Sequence, residues 1–439
     1  MSKLRRELNF WHALAIVIGT VIGSGVFINL PIVASASGSP FLAALSWFLG
    51  GLIWIPQIII ISEMATAYPD EGFGYLYLKE AGYPSLAFLY VWTAFLTSDT
   101  PSITIIAMSA ASSISFFFPV LNETIYARIF AVIIIIILTI PHVRDVKQGG
   151  NLQVILTIAK ISPLILLIFI GFFYYSSGNL SFVDRNVVDN NNVINLILAG
   201  VAATVWSYAG FPNILYMAGE IKNPQKTLPK VLIGSVIGVM LAYVLISLAT
   251  SAIVPHVDLV KSVGSFANPF LYLPVFSAFA AGFLSITAFI SMIGATNACI
   301  MVQPRIEYAI AKDGLFFKIF AHVHPKYNTP DYSIMIQSGI AILLTLIGGI
   351  ESLLGYFTLS YLLQNALVFI SIFFLRKKEN YKPTFIAPFW KIMTILSLLA
   401  QAFLIYGTFL AYSIWGVLSA LFLIITGLPV YYYFRKNGR

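Results

Sequence analysis

Three glycines fall within the nine residues Gly19 to Phe27 (GTVIGSGVF), inside an apolar run long enough to cross a bilayer. Glycine costs a helix interior about 1 kcal/mol relative to alanine. A backbone group freed in hydrocarbon costs more, unless a partner satisfies it. A chain that places this stretch at membrane depth therefore has to find partners for an interrupted helix, either in neighbouring helices or in a ligand.

The surroundings put it at that depth. Apolar and aromatic residues make up 59% of the 439, charged residues 10%, and mean hydropathy is +0.89, the composition of a polytopic membrane protein. Apolar runs fit twelve spans: Phe10 to Ala36, Pro40 to Tyr68, Tyr83 to Phe117, Thr124 to Pro141, Asn151 to Tyr175, Val193 to Ile221, Leu228 to Val254, Leu273 to Val302, Tyr332 to Gly349, Ser352 to Leu375, Phe385 to Ala411 and Ser413 to Phe434. Each suffices for roughly 30 Å of hydrocarbon. The expectation is one transmembrane domain over residues 1–439. The run Ala34-Ser35-Ala36 resembles a signal-peptidase site, but the segment before it is longer than a signal peptide's apolar region and reads as the first span.

The formal net charge of +8 is a topology signal rather than a nucleic-acid one. With the amino terminus in the cytoplasm, 21 of the 25 Lys and Arg residues collect on the inner side, three (Arg128, Arg185 and Lys261) lie outside, and Lys160 lies within a span. The positive-inside rule then favours cytoplasmic N and C termini and an even number of spans in the cell membrane. A single cysteine, Cys299, excludes an intramolecular disulfide and any multi-cysteine metal site. The five histidines fall near span ends or in loops, so neither an intramembrane hydrolase nor a metalloenzyme is expected.

The sixth span repeats the oddity of the first: WSYAGFPN (Trp206 to Asn213) sets Gly210 and Pro212 in mid-helix, and proline removes a donor and clashes with the preceding turn. The breaks at Gly23 and Tyr208 are 185 residues apart, and each opens a set of five spans. Five is odd, so the second set is inverted relative to the first. Paired, interrupted spans in inverted repeats mark a secondary transporter with its site at the midplane. The repeats cover about residues 10–175 and 193–375, with additional helices over about 385–434.

At the first break, the N–H groups of Ser24, Gly25 and Val26 head a half-helix and favour a carboxylate. The freed carbonyls of Val21, Trp206, Ser207 and Ala209 face a positive group. A zwitterion with its two charges on adjacent positions fits that pair. The competing structural reading is a packing face of Gly19 and Gly23, which the matching second break disfavours. A nucleotide-binding reading of Gly23-Ser24-Gly25 fails, because Ile28 stands where the third glycine belongs.

The chain resembles the amino acid-polyamine-organocation (APC) superfamily of transporters, with the LeuT-type fold. The resemblance rests on IGSGVF (Ile22 to Phe27), WSYAGF followed by AGEIKNPQKTLPK (Ala218 to Lys230), YPDEGFGYLYLKEAG (Tyr68 to Gly82), and AKDGLFF with HPKYNTP (Ala311 to Phe317, His324 to Pro330). These lie in order across more than 300 residues. It implies an all-helical membrane protein with broken helices 1 and 6 in a 5+5 inverted repeat plus two extra C-terminal helices. It also implies an amino-acid substrate whose carboxylate meets Ser24 and Gly25 and whose amine meets the carbonyls of Val21, Trp206 and Ala209. Trp206 matches the family's aromatic gate, and WSYAG looks more like arginine/agmatine antiporters than the wider family's FAYGG.

Lys160, in TIAKISP, is the one basic residue deep in a span, where a charge costs about 2.5 to 3.5 kcal/mol on insertion scales. Resemblance to proton-coupled relatives puts it in the place of a coupling ion, within reach of Gly19. The expectation is proton symport, with no other cofactor; amino-acid/amine exchange, with Lys160 permanently charged, is the alternative. A passive channel, from another class, predicts unsaturable flux and is disfavoured by the paired breaks. Asp99, mid-span in FLTSDTPS, has three open readings: selection of a cationic substrate, a pair with Lys160, or a water-filled vestibule. Glu63 and Glu220 are expected to be solvated or capping, and Asn297 and Asn365 to bond across helices. The expected partners are an amino acid and the bilayer, with no nucleic acid and no obligatory protein partner.

Overall fold

In the computed structural model the described residues are 4–23, 25–173, 192–263, 269–273, 279–347, 350–411 and 414–437. Regular structure among them is helical, with two isolated bridges, Leu8 to Ile221 and Glu71 to Met217.

Asn9 caps α1 (Phe10–Val21) through the His12 N–H, and the His12 side chain caps back, a reciprocal arrangement that satisfies two otherwise free donors. The helix stops where Ile22 turns out of helical geometry, and α2 (Gly25–Ser37) restarts the same span. Ser39 caps α3 (Pro40–Ala67), with Pro40 in its first turn, where a missing N–H costs nothing. After α4 (Gly74–Glu80) comes α5 (Pro84–Thr93), which runs through a π-helical stretch, Ala94–Asp99, into α6 (Thr100–Ser113). That wide turn places Asp99 at a register an unbroken helix would not give it.

Next come α7 (Thr124–Arg144) and α8 (Val146–Phe173). The second break follows α9 (Val193–Thr204) as three 3₁₀ turns, Val205–Tyr208, Phe211–Tyr216 and Ala218–Glu220. Gly210 between them has φ of 118°, open essentially to glycine alone. Then come α10 (Pro224–Ile253), α11 (His256–Lys261), α12 (Ala280–Val302), α13 (Pro304–Lys312), α14 (Asp331–Ile347), α15 (Ile350–Leu375), α16 (Trp390–Ala411) and α17 (Ile414–Asn437).

By length and composition, α3, α7, α8, α10 and the stretch Ala280–Lys312 can each cross a membrane. At 12 and 13 residues, α1 and α2 are half-spans, about 20 Å each at 1.5 Å per residue. Isoleucines 125, 129, 133, 136, 137 and 140 of α7 are exposed, an outer stripe suited to lipid rather than water. Inside, α1 packs against α8, α10 and α12, while α3 lies along α10, α6 along α12, and α7 along α14.

Candidate functional site

The broken backbone at the end of α1 is satisfied by three side chains from three helices. Lys160 of α8, fully buried, donates to the Gly19 carbonyl at 2.8 Å and the Ile22 carbonyl at 2.5 Å. Ser291 of α12 donates to the carbonyls of Ile22 (3.3 Å) and Gly23 (3.2 Å). Tyr243 of α10 donates to Val21 O at 3.4 Å and Ser207 O at 3.1 Å, so one hydroxyl joins both breaks. Ile22 O, reached by both Lys160 and Ser291, and Val21 O, reached by Tyr243 and the Gly23 N–H, each have both lone pairs engaged.

The breaks also meet directly. Thr20 Oγ1 donates to the Gly210 carbonyl at 3.1 Å, and Asn29 Nδ2 donates to Ser207 Oγ at 2.9 Å. Gly25 sits so close to the second break that a Cβ there would lie 2.8 Å from Ser207 Cα. The Gly210 N–H donates to the Tyr361 hydroxyl at 3.4 Å. Behind the second break, Tyr208 donates to Trp47 O at 2.7 Å, and Trp47, Tyr208 and Tyr243 pack edge to face or tilted with centroids 5.1 to 6.0 Å apart.

A cavity of about 70 Å³ opens where the breaks meet, room for a few water molecules. Thr20, Val21, Gly23 and Gly25 line it from the first break and Ala209, Gly210 and Asn213 from the second. Asp99, Ser102, Ala295, Cys299, Gln303 and Tyr361 close the remaining sides. Asp99 is 5% exposed; Ser98 donates to its Oδ1 at 3.4 Å, and Oδ2 has no hydrogen-bond partner.

Of the residues singled out in the sequence, Val21, Gly25, Ala209 and Asp99 line this cavity. Gly19 and Lys160 stand behind the first break, and Ser207 lies beneath Gly25. Val26 lines a separate, smaller apolar cavity with Leu30, Pro163 and Ile246. Ser24 and the side chain of Trp206 lie outside the described residues. Asp99 forms no ion pair with Lys160, whose ammonium is taken up by the two carbonyls. Tyr243, Ser291, Asn213, Gln303 and Tyr361 were not anticipated. For Ser291, Asn213 and Gln303 the available signal was a polar residue in an apolar run.

Behind Lys160 a buried polar row continues along α8. Thr157 Oγ1 donates to Ala15 O at 3.0 Å, Gln153 Nε2 donates to Thr157 Oγ1 at 3.2 Å, and Asn297 Nδ2 donates to Gln153 Oε1 at 2.8 Å. Asn297 Oδ1 in turn pairs with His142 Nε2 at 2.9 Å. Asn297 therefore ties α7, α8 and α12 together.

Glu63 and Glu220 correct the expectation of a solvated or capping role, for both are fully buried. Arg305, also fully buried, meets Glu220 at 2.7 Å and donates to Met301 O. Arg376 grips Glu63 with two nitrogens at 2.8 and 2.5 Å, joined by the Tyr381 hydroxyl at 2.8 Å and the Ala387 N–H at 2.7 Å. The arginines come from distant helices, so local sequence could not announce them. Leu8 bonds by its backbone to Glu220 and Lys222, pinning the chain before α1 to the end of the second break. In the connection before α5, Tyr75 and Lys79 both donate to Asp313 Oδ2 at 2.6 Å; burial and that carboxylate push the Tyr75 phenol well above its ordinary range.

A family model described as "Amino acid permease" matches residues 8–428. The chain is 27% identical to the serine/threonine exchanger SteT of Bacillus subtilis, over 99% of this chain and 98% of the relative. It is 24% identical to the b(0,+)-type amino acid transporter 1 of Mus musculus, covering 99% and 88%. Identity to the methylthioribose transporter of Bacillus subtilis is 28%, covering 100% and 95%.

Proposed function

Because the chain belongs to the amino acid permease family, we propose that it carries an amino acid across the cell membrane by alternating access around the cavity between the two breaks. The observation that carries this reading is that both interrupted helices line one cavity. The N–H groups at the head of α2 receive the carboxylate. The amine lies toward the carbonyls of Val21, Trp206, Ser207 and Ala209, of which Val21 and Ser207 are already oriented by Tyr243. Trp206 closes over the substrate.

The proposed frame is the LeuT-type fold: twelve spans, two inverted sets of five, and both termini cytoplasmic. In its support, helices that correspond between the two sets pack as partners, α3 with α10, α6 with α12 and α7 with α14. The cationic asymmetry of the connections supports the orientation.

For energy coupling we favour proton symport through Lys160. Its ammonium holds two carbonyls of the break, and loss of the proton weakens that grip, so protonation and break geometry depend on one another. Exchange is the second reading, favoured by the relative named as a serine/threonine exchanger. Asp99, with a free oxygen at the cavity wall, favours a basic amino acid or amine within either reading.

Uptake into proteoliposomes separates the two. Symport gives uphill uptake into empty vesicles under an inward proton gradient. Flux that ignores the gradient and needs a preloaded lumen replaces symport with exchange. Serine, leucine, lysine, arginine and putrescine form the panel, and Asp99→Asn should erase any cationic preference. A preference that survives the substitution removes Asp99 as selector.

A further inference from the structure

Four buried side chains run from the cavity into the start of α13, and each ends in an unsatisfied acceptor: Asp99 Oδ2, Gln303 Oε1, Glu307 Oε2 and Gln337 Oε1. None is more than 5% exposed. The bonds they do make form two separate links. Ser102 donates to Asp99 O at 2.7 Å and accepts from Gln303 Nε2 at 2.9 Å, and Gln337 Nε2 donates to Glu307 Oε1 at 3.2 Å. Glu307 follows Gln303 by four residues, one helical turn.

Acceptors cannot satisfy one another, and leaving them bare costs about 1–3 kcal/mol each. Asp99 and Gln303 line the cavity, where solvent can donate, but Glu307 Oε2 and Gln337 Oε1 lie off it and, among the described residues, lack a donor. A carboxyl group becomes one by holding a proton. We propose that Glu307 holds a proton and through it donates a hydrogen bond to the free amide oxygen of Gln303 or Gln337, as a buried acid separate from Lys160.

The surrounding charges leave no other neutralisation. Glu307 feels the charge of Asp99, and Asp99 is faced by Tyr90, Tyr216, Tyr361, Cys299 and Glu307, none of them cationic, with the Tyr216 hydroxyl oriented to donate to it. Around α13, helix α4 carries Tyr75, Tyr77, Lys79 and Glu80, with Lys79 bound to Asp313. Helix α5 carries Tyr90, which pairs with Tyr216; α14 carries Tyr332 and Asp331, the latter bound to His322; and Lys318 on the neighbouring turn is exposed. Arg305 is committed to Glu220 and Met301, and Lys160 to Gly19 and Ile22. Two ionised carboxylates in such surroundings oppose each other without a cation to share. Protonation of Glu307 removes its repulsion with Asp99.

This inference goes beyond the transport reading and is tested without a substrate. Infrared spectra of the purified full chain in nanodiscs at neutral pH should show the carbonyl stretch of a protonated carboxyl. Isotopic labelling of glutamate with carbon-13 should shift it, and Glu307→Gln should remove it. The labelling arm uses the unaltered protein, so it stands even if the variant misfolds. Absence of any glutamate-derived protonated band at neutral pH, or its persistence in folded Glu307→Gln protein, overturns the proposal. Either result leaves the uptake experiment free to succeed or fail by itself.

Discussion

The chain buries ionisable side chains in two different ways. Glu220 with Arg305, and Glu63 with Arg376, are tight pairs with further hydrogen bonds around them. Among the described residues Lys160, Asp99 and Glu307 have no oppositely charged partner; their bonds go to carbonyls, a hydroxyl and an amide. A pair is neutral in every state of the molecule, so it fastens elements together. A lone ionisable group changes its free energy whenever a proton or a charged ligand arrives. The paired residues hold the ends of the broken and neighbouring helices, and the lone ones surround the cavity and its first break.

Breaking a pair should have the largest effect. Arg305→Ala strands a fully buried carboxylate and should cost about 3–5 kcal/mol, read as a large drop in thermal unfolding temperature in detergent. Replacing both partners, Arg305→Met with Glu220→Leu, should recover most of that loss. Equal damage from the single and double variants would show that the pair is not the fastening.

The lone lysine should behave otherwise. Two bonds from a charged donor are worth about 1.5–3 kcal/mol each, yet Lys160→Ala removes the buried charge along with them. Its stability loss should be smaller than that of Arg305→Ala, while proton-driven uptake falls at least about tenfold. Unchanged uptake would remove Lys160 from the coupling.

Gly25→Ala sharpens the geometry of the site. Its Cβ would meet Ser207 backbone at 2.8 Å, an overlap expected to cost about 1–3 kcal/mol and to weaken amino-acid binding. Gly234→Ala, where a Cβ meets nothing within 4 Å, is the control and should stabilise α10 by up to about 1 kcal/mol. Equal binding by the two variants would contradict a close approach of the breaks. Tyr243→Phe should have the smallest effect, about 0.5–1.5 kcal/mol, seen as a few-fold weaker binding in a thermal-shift titration with folding intact.

How much the sequence disclosed follows from the range of each signal. Both interruptions were readable because glycine and proline act on their own backbone, and Lys160 was readable as a charge in an apolar run. The π-helical stretch at Ala94–Asp99 was not: Pro101 just beyond it marks a disturbed helix but not the register that replaces it. Neither Arg305–Glu220 nor the Tyr243 bridge was visible, because 85 and 36 residues separate the bonded groups and no periodicity encodes such meetings. Glu307 lies in the polar, basic stretch Pro304 to Pro330, whose composition suits the surface; only the fold shows it buried beside Gln337.

Cys299 offers the most direct test of the central claim, that an amino acid occupies the cavity between the two breaks. It is the chain's single cysteine and lines that cavity, so a small thiol reagent reports on it in the unaltered protein. The account predicts that whichever of serine, leucine, lysine or arginine is taken up by proteoliposomes also slows Cys299 labelling, at concentrations matching those that saturate uptake. A transported amino acid that leaves the labelling rate unchanged at saturation would place the substrate elsewhere and contradict the account.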